Sequence, residues 1–395
     1  MPMHSVVIVS AQRTPIGSFL GALSTCTATY IGSTAIRAAL DKVALAPELV
    51  EEVYVGHVLQ AGTGQAPARQ AALGAGISPN TPCTAINKVC ASGLKAILLA
   101  TQSIQLGDRS IVVAAGMESM SLAPHLAPMR NGTKFGSLNL LDAIQIDGLQ
   151  DAYALKPMGV FADQCALDHD ISREDQDAYA LNSYHRAQQA WDKGLFDNEV
   201  SPVVVHGPKG QTNIVDRDEE FTKIVPEKMA GLRPAFTSDG SVTAANASTI
   251  NDGAAALVLM SEQKARELNL KPLAYIRGYA DAALAPEQFT IAPSKAIPLA
   301  AQKAGISLDQ IDLFEINEAF SVVALANNKL LGIDHNKVNT VGGAVALGHP
   351  LGCSGARIAT TLIHQLINRQ ERWGAAGICN GGGGASALII ENATL

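Results

Sequence analysis

The sequence predicts an α/β protein made of two similar halves. Apolar segments typical of buried strands, the first at 5–10, alternate with helical patterns, the first at 28–43. The second half repeats parts of the first, because 352–357 (GCSGAR) resembles 90–95 (CASGLK). A chain of 395 residues is also long for a single core. We therefore expect two layered α/β halves that face each other across a shared cleft.

The elements of the first half follow one another at short intervals. The pattern predicts strands at 5–10, 53–59 and 110–115, and helices at 28–43 and 94–106. A loop with Gly62 and Gly64 resembles the start of a dinucleotide-binding fingerprint, but Pro67 stands where the third glycine belongs. The sequence therefore does not favour a Rossmann site.

The pattern changes between residues 122 and 243, where proline, methionine, asparagine and charged residues are frequent. This segment is too long for a plain connection and predicts an insertion with helices of its own. Its clearest helix covers 172–193 and begins with a capping box. We therefore predict three regions: a first half formed by 1–121 and 244–271, an inserted loop domain at 122–243, and a second half at 272–395.

The second half echoes the strands of the first. Residues 273–278 resemble the opening strand, and 311–316 resemble 52–56. Residues 377–381 likewise resemble the strand that ends at Gly116. The loops that follow these strands should then occupy equivalent positions in the two halves.

Composition argues against several classes of protein. A net charge of -7 argues against nucleic-acid binding, because such proteins need a basic face for the phosphates. Six cysteines without a Cys-x-x-Cys pair predict neither a disulfide framework nor a zinc site, and indicate a reducing, cytoplasmic location. The apolar run 6–11 is too short for a secretory signal, no segment approaches the length of a membrane span, and the last residues are not a peroxisomal address.

Cys90 is the candidate nucleophile of the first half, since it lies where a loop becomes an apolar helix. The free N–H groups at a helix N-terminus lower the pKa of a thiol and stabilise the reactive thiolate. The alternative is a buried, inert cysteine, which is the commoner case for an isolated one.

Four further segments bear on that choice. His349 lies among glycines in 341–357, Cys379 ends an apolar strand in 378–386, and the others are 317–320 (NEAF) and 246–256. Together with the Cys90 segment they resemble the signature segments of the thiolases, and the resemblance runs through almost the entire length. It implies duplicated βαβαβαββ halves in a five-layer α/β/α/β/α sandwich that carries an inserted loop domain.

The resemblance also implies roles for individual residues. Cys90 matches the residue that becomes acylated, His349 the residue that takes its proton, and Cys379 the base that acts on C2 of acetyl-CoA. The N–H groups of Cys90 and Gly381 would form one oxyanion hole, and His349 with a water held by Asn317 the other. A structural histidine and a packing cysteine are the alternatives.

Coenzyme A contacts are implied mainly in and around the insertion. Ser248 matches a residue that touches the pantetheine, and the residues that match its channel are Leu149, Phe236, Ala319 and Phe320. Lys223 and Lys228 are candidates for the nucleotide phosphates, with solvated surface lysines as the alternative. Met158 matches the floor of the acyl pocket, although Pro157 replaces the histidine that many members have before it.

One branch of the family responds to potassium, and this sequence resembles it. The implied ligands are the hydroxyl of Tyr184 and the carbonyl groups of Ala244, Ala245, Ala247 and Val345. Phe289 also matches that branch, but Thr290 replaces the proline that usually follows. Acceptance of a 2-methyl-branched acyl chain therefore stays open.

The activity implied is the reversible conversion of two acetyl-CoA into acetoacetyl-CoA and coenzyme A, with no covalently bound cofactor. The nearest alternative is a degradative thiolase for longer 3-ketoacyl-CoA substrates. An alternative of another class is a non-catalytic relative that binds acyl-CoA or lipid. A serine hydrolase is excluded because no Gly-x-Ser-x-Gly segment occurs. The family further implies a homotetramer, assembled as a dimer of dimers through the insertion.

Overall fold

The structure, a computed structural model, describes residues 4–395 except for the side chain of Lys209. Its strands are β1 (Val6–Arg13), β2 (Gly17–Ser18), β3 (Glu52–Gly56), β4 (Cys83–Ile86), β5 (Ile111–Ser119), β6 (His125–Leu126), β7 (Leu141–Asp142), β8 (Val203–His206), β9 (Thr212–Val215), β10 (Asn251–Ser261), β11 (Ala274–Ala283), β12 (Leu313–Ile316), β13 (Trp373–Asn380) and β14 (Gly384–Asn392).

The α-helices alternate with these strands. They are α1 (Ala28–Asp41), α2 (Pro67–Gly74), α3 (Ser92–Leu106), α4 (Met158–Asp168), α5 (Arg173–Asp192), α6 (Pro226–Met229), α7 (Glu262–Glu267), α8 (Pro293–Ala304), α9 (Ser321–Leu331), α10 (Ala344–Leu347) and α11 (Leu351–Arg369). Short 3-10 turns lie at Pro47–Leu49, Pro208–Gly210, Glu220–Thr222, Pro286–Ile291, Leu308–Gln310 and His335–Lys337, and a π-helical turn lies at Ile144–Leu149.

The main sheet shows the duplication that the sequence predicts. Its order is β12-β13-β14-β11-β1-β10-β5-β3-β4, and β2 pairs with β10. The two halves meet where β1 lies beside β11. Counted outward from that junction, the first half has the order β1, β10, β5, β3, and the second half has the matching order β11, β14, β13, β12. In both series the outer pair, β3 with β5 and β12 with β13, is parallel. The predicted pair of α/β halves is therefore confirmed.

Two helices form the middle layer between the halves. Helices α3 and α11 pack against each other, and α11 also contacts strands of both halves. One apolar cluster accordingly contains residues from both halves, including Leu94, Ile358 and Ile378. Helices α1 and α2 cover the outer face of the first half, and α8 covers that of the second. These are the five layers implied by the thiolase resemblance.

A close crossing brings the starts of α3 and α11 together. A Cβ atom on Gly355 would lie 2.2 Å from the backbone nitrogen of Leu94, so no larger residue fits at this point. Cys90 lies just before α3 and His349 just before α11. The crossing therefore places two loops that are distant in sequence at the same end of the sandwich.

The elements from β6 to α6 lie outside the main sheet. They follow β5 and precede β10, and they include the small pairs β6–β7 and β8–β9. The capping box predicted for the long helix is present at α5, where the Ser172 hydroxyl accepts from the Asp175 N–H and the Asp175 carboxylate accepts from the Ser172 N–H. That part of the prediction is confirmed.

Strands β1 and β5 run past their predicted ends because pairing extends beyond the apolar runs, whereas β3 ends at Gly56, before the predicted end at 59. Strand β1 continues to Arg13, which pairs with Ala255 of β10, although the apolar run ends at residue 11. The buried guanidinium of Arg13 is neutralised by Glu199 at 2.6 Å and by Asp218 at 2.8 Å. Tertiary ion pairs thus permit a charged strand end that sequence patterns do not reveal.

One segment of bilayer length occurs in the described part of the chain. By length and composition alone, Val89–Leu106 could span a membrane, with a mean hydropathy of 1.3. The prediction that no segment approaches this length is therefore wrong. The segment contains α3, and 61% of it is buried inside the fold.

Candidate active site

A cavity of about 550 Å³ opens where α3 and α11 begin, next to the inserted segment. Residues from both halves and from the insertion line it. The predicted site residues among them are Cys90, Leu149, Met158, Lys223, Phe236, Ala244, Ala247, Ser248, Phe289, Ala319, Phe320, His349 and Gly381. Most of the predicted set is therefore brought to one place.

Cys90 is half-buried and faces the cavity. Burial raises the pKa of its thiol to about 12, although hydrogen bonds from the N–H groups of Gly381 and of Cys90 itself act in the opposite direction. The prediction that the helix N-terminus lowers this pKa is therefore wrong. The cause is the loss of hydration, which outweighs the hydrogen bonds.

The turn before the nucleophile is strained. Val89 has a φ of 46°, in the left-handed region that a β-branched residue rarely occupies. Its N–H donates to the Asn87 side chain at 3.0 Å, and its carbonyl accepts from the Ser92 hydroxyl at 2.5 Å. The surrounding contacts therefore hold Cys90 in a turn that the chain would not adopt alone.

His349 is held from two sides. Its backbone N–H donates to Asn251 at 2.8 Å, and its Nδ1 lies 2.5 Å from the hydroxyl of Ser354. Gly348 has a φ of 106°, and a Cβ atom there would lie 2.5 Å from the Asn251 side chain. Only glycine therefore allows Asn251 to approach His349 so closely.

The free face of His349 is suited to accept a proton. Its Nε2 is buried and has no hydrogen-bond partner within residues 4–395. Burial, assisted by the charge of Arg357, lowers the pKa of the imidazole to about 3. His349 is therefore neutral near pH 7, which a proton acceptor requires.

Cys379 lies beneath the cavity rather than on its wall. It is fully buried near the end of β13, paired with Ala385, and packs in a cluster with Met158, Phe289 and Phe320. Burial raises the pKa of its thiol, and the charge of a neighbouring Cys90 thiolate raises it further. The two cysteines thus interact electrostatically, and Cys379 rests as a neutral thiol.

Asn317 follows β12 and is 1% exposed. Both polar atoms of its amide lack a partner in the part of the chain that the structure describes. The next residue, Glu318, is buried rather than solvated, and its carboxylate accepts from Tyr179, Ser183 and Asn339. Glu318 therefore fixes the Asn317 loop against helix α5, whereas the Asn317 amide remains available.

The loop of Ser248 is fixed to the loop of Phe320. Ser248 donates to the Ala319 carbonyl twice, from its hydroxyl at 2.8 Å and from its N–H at 3.1 Å. Phe236 and Phe320 contact each other edge to face, with ring centroids 6.0 Å apart. These residues form a mostly apolar channel wall.

The two candidate lysines differ in position. Lys223 lines the cavity, contacts the Ser18 hydroxyl and lies 3.6 Å from Glu220. Lys228 is exposed on α6 and does not line the cavity. Lys223 is therefore the lysine that the structure brings to the cavity.

Three of the five potassium candidates lie together beside α10. Tyr184, Ala245 and Val345 share a buried cluster, and Ala244 and Ala247 line the adjoining part of the cavity. Burial raises the pKa of the Tyr184 hydroxyl, as do the charges of Glu220 and Glu318. Oxygen atoms near two carboxylates form a donor set that fits a hard cation.

Sequence patterns missed several residues of the cavity. They come from the first loop, from the Ser248 loop and from positions next to recognised motifs, and they are Ser18, Phe19, Met120, Gly148, Gly159, Glu220, Ala235, Thr243, Thr249, Ile250 and Leu351. The clearest available signal was Phe19, an aromatic residue in the turn after Gly17. In the structure Phe19 is 43% exposed.

The chain matches two family models, the thiolase N-terminal domain over residues 6–263 and the thiolase C-terminal domain over residues 270–392. It belongs to the thiolase family. It is 56% identical over 389 residues to "Acetyl-CoA acetyltransferase ERG10, cytosolic" from Gibberella zeae, which covers 98% of both chains. It is also 56% identical over 391 residues to "Acetyl-CoA acetyltransferase 1" from Arabidopsis thaliana, which covers 98% of this chain and 94% of that one.

Two solved structures are similar over nearly their whole length. One is the Acat5 thiolase from Ascaris suum in complex with coenzyme A, with a TM-score of 0.93, 47% identity and coverage of 98% of this chain and 100% of that chain. The other is the Bacillus anthracis acetyl-CoA acetyltransferase, with a TM-score of 0.97, 41% identity and coverage of 99% of both chains. The thiolase fold implied by the sequence is confirmed.

Proposed function

We propose that the chain is an acetyl-CoA acetyltransferase that interconverts two acetyl-CoA with acetoacetyl-CoA and coenzyme A. Near-full-length relatives at 51–56% identity carry the name acetyl-CoA acetyltransferase. The observation that carries the proposal is one cavity lined by Cys90, His349 and Gly381, in which the Gly381 N–H reaches the Cys90 sulfur and His349 Nε2 has no partner among the described residues.

The first half-reaction acetylates Cys90. The Cys90 sulfur attacks the thioester carbonyl of one acetyl-CoA as His349 Nε2 takes the thiol proton. A bond forms between sulfur and the acetyl carbon, and the carbon–sulfur bond to coenzyme A breaks. Because the resting thiol and imidazole are both neutral, proton transfer accompanies the attack. The N–H groups of Cys90 and Gly381 stabilise the negative charge that develops on the carbonyl oxygen.

Cys379 links the two half-reactions. It rests as a thiol, so it must lose its proton before it can act as a base. The departing coenzyme A thiolate is a suitable acceptor of that proton. The Cys379 thiolate then removes a proton from C2 of the second acetyl-CoA, and the resulting enolate attacks acetyl-Cys90. The released Cys90 thiolate recovers the proton held by His349, which restores all three groups.

The enolate oxygen needs a second set of donors. His349 lies on the cavity wall, and the buried amide of Asn317 has no protein partner in the described residues. Asn317 would therefore hold a water beside His349, and together they would stabilise the enolate charge. Loss of one such donor typically lowers kcat about a hundredfold to a thousandfold.

Coenzyme A would enter through the wall formed by the insertion. The proposal includes the division of the chain into three regions. Residues 1–121 and 244–271 form the first half, residues 122–243 form the insertion, and residues 272–395 form the second half. Leu149, Phe236 and Ser248 would contact the pantetheine, and Lys223 would lie nearest the phosphates. Lys228 would act farther out, as a mobile charge on the approach.

Chain length separates the proposal from a degradative thiolase. Met158 and Phe289 line the cavity and pack in one apolar cluster with Cys379, so we propose that they limit the length of the acyl chain. We expect kcat/KM for thiolysis to be highest with acetoacetyl-CoA and to fall for 3-ketoacyl-CoA substrates of medium length. Preference for medium chains would instead identify the degradative type. Coenzyme A binding without turnover would identify a non-catalytic relative.

Potassium is the proposed ion near the Ser248 loop. The hydroxyl of Tyr184 and the carbonyl groups of Ala244, Ala245, Ala247 and Val345 would hold it, and its charge would order the loop. Turnover in potassium should exceed turnover in tetramethylammonium at equal ionic strength. Equal rates in the two salts would contradict a role for potassium.

Assembly as a homotetramer and a cytoplasmic location complete the proposal. The insertion exposes large apolar side chains, among them Phe135 and Leu140, which a second copy could cover. The relative from Gibberella zeae is named cytosolic, and all six cysteines of this chain are free. Sedimentation of the purified protein would test the assembly.

A further inference from the structure

The ammonium group of Lys88 joins the nucleophile loop to the opposite half. It donates to the Ala385 carbonyl at 3.1 Å, to the Ser386 hydroxyl at 2.8 Å and to the Asp281 carboxylate at 2.5 Å. A lysine has three N–H donors, and all three have acceptors here. All of these acceptors belong to β11 or β14 of the second half.

The acceptors of Lys88 lie beside the strand that carries the second thiol. Ala385 of β14 pairs with Cys379 of β13, and Ser386 pairs with Ile378. The same strand pair is joined by the loop of Gly381, whose N–H reaches the Cys90 sulfur. Lys88 is two residues before Cys90, so its contacts fix the distance between the loop of one thiol and the strands of the other.

We infer that Lys88 is a positioning residue, which together with Asp281 and Ser386 holds the Cys90 loop in register with Cys379 and Gly381. The inference rests on the proposed function. Asp281 is anchored as well, because Ser386 donates to it at 2.6 Å and Lys95 donates to it at 2.6 Å. Burial alone would raise the pKa of Asp281, but the hydrogen bonds from Lys88, Lys95 and Ser386 lower it to about 2. The carboxylate is therefore ionised throughout the working range of pH.

Lys95 provides a matched control. It carries the same charge, binds the other oxygen of Asp281 and has a similar exposure, 24% against 25% for Lys88. Among the described residues its ammonium group makes no hydrogen bond to β14. The variants Lys88→Met and Lys95→Met therefore remove equal charge near Cys90, but only the first releases the loop from β14.

The experiment compares these variants with the full-length protein. Four quantities are measured for each protein. They are the rate of Cys90 acetylation by acetyl-CoA, the rate of condensation, KM, and the pH dependence of Cys90 alkylation by iodoacetamide. We expect Lys88→Met to lower both rates about tenfold to a hundredfold, with KM changed less than kcat. Its alkylation profile should shift to higher pH, since the Gly381 N–H no longer approaches the sulfur. Lys95→Met should stay within about twofold of the unsubstituted protein.

Two further variants keep the inference testable if Lys88→Met does not fold. Lys88→Arg keeps the charge and N–H donors for Asp281 and β14 and should retain most of the rate, whereas Ser386→Ala should lose a smaller part of it than Lys88→Met. Equal losses in Lys88→Met and Lys95→Met would overturn the inference, because charge alone would then explain the effect. A loss confined to KM would also overturn it. If the unsubstituted protein is not acetylated at Cys90, the proposed function fails instead.

Discussion

The imidazole of His349 and the hydroxyl of Ser354 form a hydrogen bond of 2.5 Å that determines which ring nitrogen is free. The Ser354 hydroxyl donates its own proton to the Pro350 carbonyl at 2.9 Å. It must therefore accept from His349, which places the imidazole proton on Nδ1 and leaves the Nε2 lone pair toward the cavity. Sequence spacing alone gives no such assignment.

Substitution of Ser354 should therefore affect catalysis more than binding. In Ser354→Ala the buried Nδ1–H loses its acceptor, which costs about 1–3 kcal/mol and favours the wrong tautomer. We expect kcat to fall about tenfold to a hundredfold with little change in KM, as measured by steady-state thiolysis of acetoacetyl-CoA. Thr360→Ala, a buried hydroxyl farther along α11, serves as the control. A Ser354→Ala enzyme with normal kcat would show that the tautomer is set by another contact.

The two cysteines should have separable roles. Cys90→Ser should abolish acetyl trapping and nearly abolish turnover, because a serine hydroxyl is a much weaker nucleophile here. Cys379→Ser should still be acetylated at Cys90 but should condense poorly, since its hydroxyl is too weak an acid and base for C2. Rapid-mixing mass spectrometry separates the two steps. Condensation at the full rate in Cys379→Ser would exclude Cys379 as the base.

The depressed pKa of His349 predicts a loss of stability in mild acid. The imidazole binds a proton near pH 6.5 when unfolded but only near pH 3 when folded. Between these values the unfolded state binds more protons, so stability falls as the pH decreases, and it is unaffected by this group above about pH 7. Between about pH 7 and about pH 5 the loss is about 2 kcal/mol. Over this pH range the free energy of unfolding, measured with urea, should fall less in His349→Asn than in the unsubstituted protein, by that amount. An equal fall in the two proteins would contradict the assignment.

The strain at Val89 predicts a reversed order of stability for two substitutions. Val89→Ala keeps a Cβ atom at a φ of 46°, whereas Val89→Gly does not. Left-handed strain costs about 1–3 kcal/mol, so the glycine variant should be more stable than the alanine variant by about 1 kcal/mol. In the ordinary helical position Ala38, replacement by glycine should instead cost about 1 kcal/mol. If Val89→Ala is the more stable variant in thermal unfolding, the turn is not strained.

The fold was largely predictable because its causes are local or repeated. The capping box at Ser172 and the echo between 90–95 and 352–357 are both visible in the sequence, and the structure contains both features. The end of β1 at Arg13 was not predictable, since it depends on Glu199 and Asp218 far along the chain.

The electrostatics of the site could be predicted less well than its residues. The recognised motifs led to Cys90 and His349, but the direction of the Cys90 pKa depends on burial by other elements. The contacts of Lys88 likewise depend on how the Cys90 loop packs against β11 and β14 of the other half. Properties of this kind arise from tertiary packing, and no short motif encodes them.

The most direct test is to expose the protein briefly to acetoacetyl-CoA, quench it, and map acetylated peptides by mass spectrometry. The proposed function predicts one acetyl group per chain, on the peptide that contains Cys90, and its release on addition of coenzyme A. No stable acetylation, or an acetyl group on a cysteine other than Cys90, would contradict it.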